Sequence, residues 1–88
     1  MTEAWAYKYG SSIIEVIRND KTIRVVVDDV AVAKCTDWAN YTTLEAHLVD
    51  KSLVRVYIRQ NNNSPWMECI LTVNSFIQQP LKYLAEEH

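Results

Sequence analysis

Glu45 and His47 stand two residues apart, a spacing that on a β-strand turns both side chains to one face, where they could share a proton or begin a metal site. No third ligand follows at a recognisable spacing, so the pair reads as a solvated strand surface and no metal is assigned. His88 is the last residue of the sequence and adds nothing to the pair. The two cysteines are Cys35 and Cys69, too far apart for a CxxC redox pair or a zinc knuckle. Cys69 alternates with Leu71 and Val73 and is expected as a small buried side chain, whereas Cys35, close to Asp37 and Trp38, ends a strand where it could be exposed. A Cys35–Cys69 bridge is not expected, since a cytosolic chain keeps its thiols reduced. The one glycine, Gly10, leaves no room for a glycine-rich phosphate loop, and no nucleophile motif occurs. The expectation is a protein that is not an enzyme and carries no cofactor.

Binding chemistry is better represented. Trp5, Tyr7 and Tyr9 alternate with Ala4, Ala6 and Lys8, so on a strand the three rings form a ladder on one face. Such a ladder offers flat apolar surfaces with polar edges, suited to stacking on sugar rings, nucleobases or partner side chains. The alternative, which we favour, is that large rings cover one end of the core, because aromatics bury area efficiently in a short chain. Trp38 and Tyr41 in a central loop, and Trp66 beside Pro65, could extend the patch. The candidate binding residues are therefore Trp5, Tyr7, Tyr9, Trp38, Tyr41 and Trp66. Asn40-Tyr41-Thr42 matches a glycosylation acceptor and is taken as a chance match.

The elements that must position these side chains come as a pattern stated twice, over residues 13–34 and again over 53–78. Ile13 to Arg18 leads through Asn19-Asp20-Lys21 into Ile23 to Val27, then Asp28-Asp29 and Val30-Ala31-Val32. Leu53 to Ile58 leads through Asn61 to Pro65 into Cys69 to Val73, then Asn74-Ser75 and Phe76-Ile77. Each copy reads strand, polar turn, strand, tight turn, strand. Alternation turns Ile14, Val16, Val25 and Val27, and in the second copy Val54, Val56, Leu71 and Val73, toward a core. Glu15, Arg18, Arg24, Asp28, Arg55, Arg59, Glu68 and Thr72 are assigned to the opposite, mostly polar face, where the four arginines read as solvated charge. The expected fold is a single all-β domain, an antiparallel sandwich or flattened barrel of about seven or eight short strands; the two copies read either as an internal pseudo-twofold repeat or as two alternating hairpins alike by chance, since their turns differ in length.

Three segments admit a second reading. Thr42 to Asp50 alternates Leu44, Ala46 and Leu48 inward against Thr43, Glu45, His47 and Val49, and a strand is favoured; a short capped helix would have to reverse at once into Leu53. Ser12 and Glu15 resemble a capping box, but the β-branched run Ile13, Ile14, Val16, Ile17 prefers a strand, with Gly10 in the turn before it. Pro80 followed by Leu81 to Glu87 reads as a turn or two of helix, or as a frayed end.

Length and composition set the class. Eighty-eight residues with 49% hydrophobic and 23% charged side chains describe a small globular domain. A formal net charge of −2, with nine basic residues scattered among eleven acidic ones, argues against a nucleic-acid partner. No apolar run reaches the ~18 residues of a membrane span, and Met-Thr-Glu-Ala-Trp lacks the character of a signal peptide, so no membrane is expected and the cytoplasm is the default compartment.

The order Trp5, Tyr9-Gly10, Ile14-Glu15-Val16, Val27-Asp28-Asp29-Val30 resembles that of a group of small uncharacterised bacterial proteins with an aromatic, Tyr-Gly, Ile-Glu-Val series and Val-Asn/Asp-Gly turns. The resemblance covers about the first third, with an echo at Val73-Asn74-Ser75. Asp29 and Ser75 stand where that pattern has turn glycines. The resemblance implies an antiparallel β fold and no known activity. The repeated strand-turn pattern is also loosely similar to the β domains of the Fas apoptotic inhibitory molecule, at the level of fold alone. The role expected is that of a module that binds another protein or a second copy of itself; the alternative is a carbohydrate or small-ligand binder using Trp5, Tyr7 and Tyr9.

Overall fold

The computed structural model describes residues 2–19, 22–36, 41–60 and 67–84. The strands in them are β1 Thr2–Tyr9, β2 Ser12–Asn19, β3 Thr22–Val27, β4 Val30–Cys35, β5 Tyr41–His47, β6 Leu53–Gln60, β7 Met67–Val73, β8 Phe76–Gln78 and β9 Leu81–Leu84. They form two antiparallel sheets, ordered β4-β3-β2-β1-β9 and β5-β6-β7-β8. Among the described residues no helix is long and apolar enough to cross a membrane.

Alternation places the core as expected. Ile14, Val16, Val25 and Val27 from the first sheet meet Val54, Val56, Leu71 and Val73 from the second, and all are buried. Each such side chain contributes about 1.5–3 kcal/mol by leaving water. Thr42 to His47 is a strand and not a helix, with Leu44, Ala46 and Leu48 buried and Val49 in the turn that follows. Among the described residues there is no C-terminal helical turn, and Ala85 to Glu87 of that expectation lie outside them. Leu81–Leu84 is instead the ninth strand, hydrogen-bonded along β1, because the open edge of β1 offers backbone partners that a short solvent-exposed helix would lack.

The two copies of the pattern fold alike. In each, three hairpins join four strands in sequence order, β1-β2-β3-β4 in one sheet and β5-β6-β7-β8 in the other. Asp28 and Asp29 have φ of 48° and 67°, and Asn74 and Ser75 have φ of 51° and 72°. Positive φ at both central residues is what a type I′ hairpin turn requires, so this turn forms without glycine. In a left-handed residue the carbonyl turns away from the ladder, and the side chain takes over as acceptor. Ile13 N–H donates to Asp28 Oδ1 at 2.8 Å while Asp28 N–H donates to the Ile13 carbonyl at 3.0 Å. Leu53 N–H donates to Asn74 Oδ1 at 2.8 Å, and Asn74 N–H returns to the Leu53 carbonyl at 2.8 Å. Ile13 and Leu53 are thus equivalent positions, and β1 corresponds to β5.

β9 breaks the symmetry. It lies on the outer edge of β1, Ala4 opposite Tyr83 and Ala6 opposite Leu81. The Tyr83 hydroxyl donates to Glu15 Oε2 on β2 at 2.7 Å, a path that crosses β1 at Ala4 and Ala6. Small side chains at those two positions leave room for the ring, and Ala4 is fully buried.

Candidate functional site

The aromatic ladder faces inward. Trp5 is buried in the core cluster, and Tyr7 and Tyr9 are half-buried against it. Tyr7 crosses between the sheets, its hydroxyl donating to Gln78 Oε1 on β8 at 2.5 Å. Packing, the favoured of the two readings, is what the rings do here. Trp38 and Trp66, like His88 and Asn40, lie outside the described residues.

Beside Trp5 the inner face carries a charge cluster that alternation could have disclosed. Glu3 has the parity of Trp5 and Tyr7, and it lies directly opposite Arg18 in the β1–β2 register. Arg18 therefore does not belong to the solvated outer face: it shares the inner parity of Ile14 and Val16. Its Nε and Nη2 donate to Glu3 Oε1 at 3.0 and 2.6 Å. Lys82 Nζ sits 2.8 Å from Glu3 Oε2 and 5.6 Å from the centre of the Trp5 ring. Met67 N–H, from the opposite sheet, reaches the same Oε2 at 3.3 Å. The Glu3 carboxylate is fully buried, and burial alone would raise its pKa. The hydrogen bonds from Lys82 and Arg18 outweigh that and hold it below the ordinary carboxylate range. With every acceptor engaged by β2, β9 and β7, this carboxylate ties the two sheets together.

Glu45 and His47 project outward, as alternation expects, with Arg55 Nε 3.6 Å from Glu45 Oε1. Among the described residues no three His, Cys, Asp or Glu side chains gather as a metal site would require. Both thiols are free. Cys69 lies on the inner side of β7, and burial pushes its pKa up to about 12. Cys35 Sγ is 3.3 Å from Thr42 Oγ1, which links the end of β4 to the start of β5 from the interior of the sandwich.

The outer face of the second sheet is different in character. Tyr41, 73% exposed, stands opposite Arg59, and Thr43 opposite Tyr57, which in turn is opposite Ile70. Together they line an open concavity of about 550 Å³. Tyr41 is the one proposed binding residue that the described structure exposes to solvent.

The concavity borders the outer edge of β5. Leu48 N–H donates to the Ser52 carbonyl at 2.9 Å, and the Leu48 carbonyl accepts from Lys51 N–H at 2.9 Å, so both groups of Leu48 face β6. Leu53 faces β7, through its bond from Asn74, which leaves Val54 facing β5 in agreement. Alternation then points the N–H and C=O of Thr42, Leu44 and Ala46 into the sheet, and those of Tyr41, Thr43, Glu45 and His47 outward in its plane. Among the described residues no strand pairs with that edge.

Comparison with protein-family models, curated proteins and solved structures found no match.

Proposed function

We propose that this protein is a non-enzymatic interaction module that binds another polypeptide by adding a strand to the edge of β5. One observation carries the reading. β1 and β5 hold corresponding places in the two copies of the pattern, and the outer edge of β1 is occupied by β9 while, among the described residues, no strand pairs with the outer edge of β5, which β4 approaches where Cys35 Sγ lies 3.3 Å from Thr42 Oγ1. Strand addition at β5 would repeat, on the corresponding edge, the way β9 pairs with β1.

The other edges support the assignment. Open edges invite aggregation, and proteins blunt them with bulges, prolines or shortness. β4 carries an irregularity where Val25 and Val26 pair with Ala33 and Ala31. β8 has three residues and is followed closely by Pro80, and β9 has four. β5 runs for seven residues in unbroken register. The adjoining concavity at Tyr41, Tyr57, Arg59 and Ile70 gives an incoming strand a place for side chains, which adds specificity to backbone pairing.

The test is partner capture by the immobilised protein against a Thr43→Pro variant. Thr43 N–H faces the open edge, so proline there spares the β5–β6 ladder. Capture that survives in the folded variant contradicts strand addition at β5. A second reading, small-ligand or carbohydrate binding, moves from the buried ladder to the Tyr41–Tyr57 concavity. It predicts chemical-shift changes at those rings on titration with sugars, and unchanged spectra at saturating sugar would dispose of it.

A further inference from the structure

Resting on strand addition at β5, we infer that the strand added is β5 of a second copy, in an antiparallel register centred on Leu44. The inference comes from self-complementarity. The residues with backbone groups aimed outward are Tyr41, Thr43, Glu45 and His47, and the hydrogen-bonded positions of an antiparallel pair must be matched among these four. A twofold axis at Leu44 matches all of them, Tyr41 with His47 of the second copy and Thr43 with Glu45, and the reverse. Each of the four pairs exchanges two bonds, about eight in all. An axis at Thr43 or Glu45 leaves part of the edge unused, and the axis at Glu45 sets the two Glu45 carboxylates against each other.

The chemistry at the outer face agrees with this register. Each Glu45 meets a threonine and remains within reach of its own Arg55 at 3.6 Å. Each Tyr41 ring, at the mouth of its concavity, meets the other copy's His47. Through the repeat, Thr43 and Glu45 correspond to Ala4 and Ala6 of β1, the positions to which β9 is bound. Docking on β5 therefore occurs at the same two steps of the strand that the chain already uses for docking on β1.

On the inner face the axis brings Leu44 against Leu44, and Thr42 against Ala46, so the apolar layer continues from one sandwich into the next. Cys35 does not obstruct the edge, because it approaches Thr42, whose side chain points inward. An axis perpendicular to the sheet puts both β4 strands on the same side of the joined sheet. The product is two four-stranded sheets merged into one of eight, closed by symmetry and with no further β5 edge to propagate.

Two measurements test this. Light scattering should give twice the chain mass for the parent and the chain mass for folded Thr43→Pro, with association weakened by about 30-fold or more. The second probes register without relying on proline. Opposed Cα atoms in a hydrogen-bonded antiparallel pair are about 5.5 Å apart, within the window for a disulfide. In a background with Cys35→Ser and Cys69→Ala, a mixture of Thr43→Cys and Glu45→Cys chains should form a reducible covalent dimer on mild oxidation, and neither chain alone should. A parent that is monomeric at several hundred micromolar overturns the second copy as occupant. So does a dimer in which Thr43→Cys alone cross-links and the mixture does not. If the parent is monomeric yet loses capture of a foreign protein on Thr43→Pro, strand addition stands and only the occupant is wrong; loss of both effects removes both.

Discussion

Replacing Glu3 by alanine should cost about 3 kcal/mol of stability. Glu3 is fully buried and accepts from Arg18 at 2.6 and 3.0 Å, Lys82 at 2.8 Å and Met67 N–H at 3.3 Å. Removing one member of a buried charge cluster typically costs about 3–5 kcal/mol, because the remaining charges lose their partner. Here Arg18 and Lys82 keep 18% and 35% of their side-chain surface in water, which places the cost at the lower end. A domain of this size has a total stability of about 4–13 kcal/mol, so the variant is strongly weakened. Its melting midpoint should fall by about 12–24 °C. The assay is urea unfolding followed by tryptophan fluorescence, with Glu45→Ala alongside, since its exposed pair with Arg55 is worth under about 0.5 kcal/mol. A pH series adds an independent check. The folded Glu3 carboxyl titrates below its ordinary value of 4.5, so its stabilisation is complete above about that pH and disappears as pH falls through the lower folded value. The parent should therefore lose stability on acidification more steeply than Glu3→Ala, and the gap between them should narrow. Equal midpoints for Glu3→Ala and Glu45→Ala would refute the cluster as an inter-sheet tie.

Other parts of the fold can be tested more briefly. Asp29→Gly and Ser75→Gly relieve left-handed backbone, with φ of 67° and 72°, and each should raise stability by about 0.5–1 kcal/mol in thermal melts; a loss would show that these residues are not strained. Val25→Asp or Leu71→Asp buries an unpaired charge at a position with almost no exposure and should leave the chain unfolded by circular dichroism; native-like melts would overturn the assignment of faces. Cys69, with its pKa pushed up to about 12, should resist a thiol reagent at pH 8 until urea unfolds the domain; rapid labelling in the native state would contradict its burial.

Most of the architecture was legible because period-2 alternation is a strong signal when one face is buried. It placed Val54, Val56, Leu71 and Val73 inward, and it distinguished strand from helix at Leu44, Ala46 and Leu48. The same parity, applied to charged residues, would have put Glu3 and Arg18 inside; a charged residue is ordinarily assigned to solvent, and that habit hid the cluster. β9 was not legible, because Pro80 suits a helix start and what makes Leu81–Leu84 a strand is the distant edge of β1. The sequence marks Asp28-Asp29 and Asn74-Ser75 as turns, while their type depends on side-chain capping of Ile13 and Leu53 that only the fold brings together. The candidate site was legible in part. Tyr41 lies on the exposed face, but the feature that distinguishes β5 is backbone polarity at an edge, and one-dimensional sequence does not say which strand is last in its sheet.

The central claim, that the β5 edge pairs with a strand of another chain, is tested most directly by residue-resolved amide hydrogen exchange over a range of protein concentrations. Leu44 and Ala46 amides, bonded to β6, should exchange slowly throughout, whereas Thr43 and Glu45 amides should be fast in dilute solution and become protected as the concentration rises. Thr43 and Glu45 amides that stay fast at every concentration and with every captured partner would contradict the account.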